Sequence, residues 1–152
     1  MELLNCSNNE GIRRFSLKTG ITLFLEIDSD ECFIPTNMGQ FSYISCDGNK
    51  LFYTSDTETV SCCDMNGKPI WSFKDTSVLR SPRGVVVDNQ GFVFVAGEKS
   101  GNIVVISPDG NSSKEVYQIS SPRAMCYDKN NNKILVCNRD NNAFWLAISL
   151  DL

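Results

Sequence analysis

Arg80-Ser81-Pro82-Arg83-Gly84-Val85-Val86-Val87-Asp88-Asn89-Gln90-Gly91-Phe92-Val93-Phe94-Val95-Ala96-Gly97 continues into Glu98-Lys99-Ser100-Gly101-Asn102-Ile103-Val104-Val105-Ile106-Ser107-Pro108-Asp109-Gly110. It closes with Lys114-Glu115-Val116-Tyr117-Gln118-Ile119. Four short β-branched or aromatic runs are cut by Asn-Gln-Gly, Lys-Ser-Gly and Pro-Asp-Gly. Each cut supplies a positive or pre-set φ, so the stretch predicts four antiparallel strands in about 40 residues.

The unit recurs. Ser121-Pro122-Arg123-Ala124-Met125-Cys126-Tyr127-Asp128 repeats Ser81 to Asp88 with a step of 40 residues, and Phe41-Ser42-Tyr43-Ile44-Ser45-Cys46-Asp47 sets the same aspartate 41 residues upstream. The turn glycines Gly67 and Gly110 keep a similar step. A four-stranded period of roughly 40 to 45 residues marks a propeller blade, which must stack on neighbours to bury its faces. The expected fold is all-β: a partial β-propeller of about three to four four-stranded blades.

Four segments follow. Residues 1–38 read as the outer hairpin of a truncated first blade, 11 to 27, plus an acidic, Pro-containing linker; 39–79 and 80–119 read as whole blades, and 120–152 as an incomplete last one. Val85-Val86-Val87 is apolar without alternation, as expected of an innermost strand covered on both faces. With so few blades the ring is expected to need self-association or further blades to cover its ends.

Composition narrows the class. The 152 residues are 41% hydrophobic and 21% charged with a net charge of −4, and the pI near 4.8 argues against a strong non-specific hold on a phosphate backbone. No apolar run reaches the 18 or more residues of a membrane span, and the start lacks a secretory leader's basic and apolar regions. A cytoplasmic location without membrane contact is the expectation. The sequons at Asn5 and Asn111 would then be idle. Seven cysteines without a Cys-x-x-Cys pair favour buried free thiols, and the absence of histidine removes the commonest zinc ligand and general base.

The string from Ser81 to Gly110 resembles the NHL repeat: Pro and Gly before an apolar strand ending in Asp, then Gly and a Val-Ala strand, then Asn and a third strand ending in a Gly turn. The chain looks like the C-terminal propeller of a tripartite-motif protein. The resemblance implies RING and B-box zinc modules and ubiquitin ligase activity upstream. This part would select a protein substrate or adaptor, or an RNA, and would not itself be an enzyme. The usual Asp after the second strand is replaced by Gly97 in one blade and by Asn138 in the next.

In an antiparallel blade, the entry to the first strand and the turn between the second and third lie at one end. Arg83, Lys99, Arg123, Arg139 and Asp140 are therefore expected on one partner-binding rim, with Asp88, Asn89, Asp109, Asp128 and Asn130 on the other. Arg83 and Arg123 either take a ligand carboxylate or phosphate, or hold neighbouring blades in register. Asp47, Asp88 and Asp128 could line a channel, but capping the following turn is the simpler role. Asp128 to Lys133 mimics the start of a calcium loop, yet Lys133 and Arg139 stand where Gly and Glu are needed. Trp71, Phe92, Phe94, Phe144 and Trp145 read as blade packing rather than base-stacking surfaces. A last stretch from Ala143 to Leu150 would make an apolar edge needing cover. No cofactor or metal is expected. The alternative function is a propeller hydrolase of the gluconolactonase or strictosidine-synthase-like type, with a central divalent ion.

Overall fold

The computed structural model describes residues 43–148 in full, together with four strands upstream. Those strands are β1 (Glu2–Asn8), β2 (Gly11–Lys18), β3 (Thr22–Ile27) and β4 (Asp30–Pro35), paired antiparallel in that order. β5 (Ile44–Cys46), β6 (Lys50–Ser55), β7 (Thr59–Asp64) and β8 (Pro69–Phe73) form the second sheet. β9 (Pro82–Val87), β10 (Val93–Gly97), β11 (Asn102–Ile106) and β12 (Ser113–Gln118) form the third. β13 (Pro122–Asp128), β14 (Lys133–Asn138) and β15 (Ala143–Ala147) form the fourth. Every sheet is a meander, and the first strands β1, β5, β9 and β13 lie beside one another in succession. The chain is an all-β partial propeller.

The third sheet explains the apolar runs. Val85, Val87, Val93, Val95, Val104 and Ile106 join one core with Phe52, Val60 and Cys62 of the second sheet. The residues of opposite parity, Val86, Phe94, Ala96, Ile103 and Val105, join another with Ile134 and Val136 of the fourth. Successive strand side chains point to opposite faces, so a sheet buried on both sides needs apolar residues at every position. The outer strand β12 has no such demand, and its Ser113, Lys114 and Glu115 are exposed.

The first segment differs from the expectation of a truncated blade. Gly11–Lys18 and Thr22–Ile27 are the second and third strands of a four-stranded sheet, not the third and fourth of half a blade. The stretch read as a linker supplies β4, with Pro35 paired to Thr22 and Asp30 to Ile27. Asp, Glu and a terminal Pro disguise an outermost strand, because an edge tolerates charge and a missing donor. The remaining linker positions 28, 29 and 36–38, the turn residues 19–21, Phe41, Ser42 and the last residues 149–152 lie outside the described residues. Cys46, Cys62 and Cys63 are buried and form no disulfide among the described residues, and neither do Cys126 and Cys137. Burial, the largest influence, pushes the Cys62 thiol up to about 11.

Candidate interaction rim

The two Ser-Pro steps build the rim. Ser81 and Ser121 hold φ of 51° and 47°, a left-handed conformation that costs a non-glycine residue roughly 1–2 kcal/mol. Fixed hydrogen bonds offset that cost. The Ser81 carbonyl accepts from the Glu98 N–H at 3.0 Å, and the Ser121 carbonyl accepts from the Arg139 N–H at 2.9 Å. The Ser81 N–H donates to the Glu58 carboxylate, which reaches across from the β6–β7 turn of the preceding sheet. The Lys99 N–H donates to the Arg80 carbonyl at 3.2 Å. Each entry arm is therefore laced to the turn between the second and third strands of its own sheet, and the arm of the third sheet is tied to its neighbour as well.

Glu98 is the centre of this arrangement. Its side chain is 9% exposed; Oε2 accepts from Arg83 Nε at 2.6 Å and Oε1 from Arg123 Nε at 2.9 Å. Arg83 stands on β9 and Arg123 on β13, so one carboxylate joins the third and fourth sheets. Arg83, 16% exposed, fits the register-holding reading, whereas Arg123 keeps 41% of its side chain in solvent. Lys99, Arg139 and Asp140 are exposed on the adjoining turns. Of the five predicted rim residues, the structure joins Arg83 and Arg123 through Glu98 and sets Lys99 and Arg139 against the two entry arms. Asp140 lies in the turn after β14, with its N–H on Asn138 Oδ1 at 3.1 Å.

Sequence reasoning missed Glu58 and Glu98. The signal was present, since the two glutamates stand 40 residues apart in equivalent turns. Burial pushes the Glu98 carboxyl up, but the hydrogen bonds and charges of Arg83 and Arg123 together outweigh it and hold the carboxyl below its usual value. Glu98→Gln removes the charge and keeps the shape; with Arg123 partly solvated, the expected loss is about 2 kcal/mol. A depressed carboxyl contributes stability that is fully present above the unfolded-state pKa and is lost as pH falls through the lower folded-state value. Denaturant melts across acidic pH should therefore show the wild-type advantage over Glu98→Gln shrinking as pH drops through that window.

At the opposite rim the aspartates cap turns. Asp47 Oδ1 accepts from the N–H groups of Asn49 and Lys50 at 2.9 and 2.8 Å, and Asp88 Oδ1 from those of Gln90 and Phe92 at 2.8 and 2.9 Å. Asp128 Oδ1 accepts from Asn130 and Asn131 at 3.0 and 3.2 Å. Its Oδ2 accepts from the Asn131 side-chain amide at 2.7 Å, a bond that holds this carboxyl low. The resemblance to a calcium loop is an ordinary turn. Back on the cationic rim, Asn138 does the work of an aspartate, its Oδ1 accepting from the N–H groups of Asp140 and Asn142. Gly97 cannot; the space a side chain would need holds Ser100 Oγ and Asn102 Oδ1, and Asn102 instead donates to the Val78 carbonyl and Glu115.

Between β5, β9 and β13 lies an axial cavity of about 520 Å³, lined by Tyr43, Val86, Met125 and Tyr127 and bordered by Asp88 and Lys129. Among the described residues, no three His, Cys, Asp or Glu side chains come together to hold a metal ion. Also among them, no helix is long and apolar enough to cross a membrane. Phe94 is buried and Trp71 packs 6.1 Å from Phe52, centroid to centroid, as expected of blade packing. Phe144, 40% exposed, departs from that expectation, and so does Trp145, which is 59% exposed because its strand position turns it to the face of the fourth sheet that no described sheet covers.

No protein-family model matches the sequence, and a search of curated proteins finds no relative. Solved structures do match. A virginiamycin B lyase from Staphylococcus aureus superposes with a TM-score of 0.66 at 11% identity, over 99% of this chain and 56% of that one. A nidogen/laminin complex matches with a TM-score of 0.70 at 18% identity, over 89% of this chain and 55% of that one. A streptogramin B lyase gives a TM-score of 0.66 at 10% identity, over 99% and 55% of the two chains. At such identities the likeness is one of fold, and the chain spans little more than half the length of the propellers it matches.

Proposed function

We propose that the chain is a non-catalytic interaction module whose Arg123, Lys99 and Arg139 rim receives a protein partner. The observation that carries this reading is the Arg83–Glu98–Arg123 bridge, which fixes two neighbouring entry arms while cationic side chains beside them stay exposed. A rigid scaffold that presents charged loops loses little conformational entropy on binding. The nidogen/laminin complex supports it to the extent that a propeller of this shape occurs in a protein–protein assembly. The finer proposal is an NHL-type propeller selecting a substrate or adaptor for a tripartite-motif ubiquitin ligase in the cytoplasm, with the ligase modules supplied upstream. The net charge of −4 weighs against RNA as the ligand. A hydrolase with a central divalent ion has less support, since the described residues bring no ligand set together.

Photo-crosslinking amino acids at Lys99 and Arg139, and at Asn89 and Asn130 on the opposite rim, test the reading in cells of the source organism. The expected result is a protein crosslinked from the first pair alone. Against that partner, Lys99→Glu/Arg139→Glu should weaken binding by about tenfold or more, chiefly through slower association. Crosslinks from the opposite rim only, or to RNA only, overturn it.

A further inference from the structure

The third and fourth sheets reach the rim in the same register. Pro82 pairs with Gly97 and Pro122 with Asn138, and the Ser81 and Ser121 carbonyls accept from the N–H groups of Glu98 and Arg139 at 3.0 and 2.9 Å. Arg139 therefore stands to Arg123 as Glu98 stands to Arg83. In the third sheet those two places hold opposite charges, and Arg83 Nε donates to Glu98 Oε2 at 2.6 Å. In the fourth sheet they hold two arginines.

That exchange inverts the electrostatics at one point of a repeated design. Arg123 engages Glu98 through Nε, and 41% of its side chain stays in solvent. A guanidinium bonded through Nε keeps its two terminal nitrogens, whose parallel N–H donors match the oxygens of a carboxylate or a phosphate. Arg139 is exposed, and among the described residues its side chain has no ion pair. The neighbouring Asp140 does not neutralise it, since it too is exposed and forms no ion pair among the described residues. Two cations at adjoining places repel, and an anion shared between them turns that repulsion into attraction.

We infer that Arg123 and Arg139 form an anion site on the fourth sheet, and that it takes a carboxylate or a phosphate monoester carried by a protein segment. Glu98 pins one edge of the Arg123 guanidinium and leaves the other for the ligand. The Ser121 carbonyl, holding the Arg139 N–H, fixes the second arginine beside it. Arg83 takes no part, being only 16% exposed and held by the buried Glu98 carboxylate. The inference rests on the rim reading above only for the carrier of the anion, a protein; the site itself is open to small probes that need no partner.

NMR of the arginine side-chain Nε–H signals of the full chain tests it, at constant ionic strength. The probes are the capped tripeptides Gly-Glu-Gly and Gly-phosphoserine-Gly, with the dinucleotide UpU as the nucleic-acid arm. Saturable shifts at Arg123 and Arg139 with at least one peptide, and none at the exposed Arg80, are the expected result; the tighter peptide identifies the source of the anion. Arg139→Gln should weaken that binding about tenfold or more, the equivalent of one charge-assisted hydrogen bond. Arg139→Glu writes the charge pattern of the third sheet into the fourth, so it should abolish binding while the thermal midpoint stays at or above that of wild type. No saturable shift with either peptide, a response shared equally by Arg80, tighter binding of UpU, or undiminished binding by Arg139→Gln would each overturn the proposal. A protein crosslinked from Lys99 and Arg139 in the absence of any probe binding would sink the anion site and leave the rim reading standing.

Discussion

Phe94→Ala is expected to destabilise the chain by about 3–5 kcal/mol, the range of a buried phenylalanine truncated in a packed core. Phe94 is 1% exposed and stands in β10, paired with Val86 on one side and Val105 on the other. Its ring belongs to the core that joins the third and fourth sheets. The substitution therefore removes apolar surface shared by two sheets, and neither can collapse into the gap without losing its own strand pairing. A loss of that size is a large part of the net stability of a whole domain, about 5–15 kcal/mol. Urea titration should show a midpoint shift with an unchanged slope if the sheets still unfold together. A loss below about 1 kcal/mol would mean that the two sheets do not press on each other at Phe94.

Gly84→Ala comes next, with an expected cost of about 3 kcal/mol, at the upper end for overpacking. A β-carbon at Gly84 would press into the Arg123 carbonyl oxygen, sit 2.9 Å from the Met125 amide nitrogen and meet the Met125 side chain at 3.1 Å. Backbone of a neighbouring strand cannot swing aside as a side chain can. β13 would have to retreat from β9, opening the Glu98–Arg123 bridge and the core behind it. Gly48→Ala is the control, because its φ of 100° carries a conformational cost but nothing lies within 4 Å of the added carbon. The control should lose roughly 1–2 kcal/mol through backbone strain alone. Thermal melts should thus rank Gly84→Ala below Gly48→Ala, and the reverse order would contradict the close approach of the two innermost strands.

These two sites also show what the sequence could and could not convey. The turns were legible because their cause is local: Gly91, Gly101 and Gly110 hold φ of 87°, 68° and 75°, and each closes a strand run the period had marked. The blank alternation of Val85-Val86-Val87 announced a strand covered on both faces, and both cores are there. The first sheet was harder to read, since Asp30–Pro35 carries the acidic and proline content of a connection while serving as an edge. At the rim, the placement of Arg83 and Arg123 followed from topology. Their capture by Glu98 depends on side chains meeting from two sheets, which no single strand pattern encodes. Trp145 makes the same point from the other side. Its place in a strand was plain, but which of two faces it joined, and whether that face was covered, follows only from the register with Leu135.

The central claim is that successive sheets pack face to face around a common axis and that this packing holds the rim. Methyl NOE spectroscopy on a chain labelled at Ile and Val addresses it most directly. Cross-sheet NOEs from Val86, Ile103 and Val105 to Ile134 and Val136 are the expected result. Strong NOEs within each sheet but none between these two groups would contradict the account.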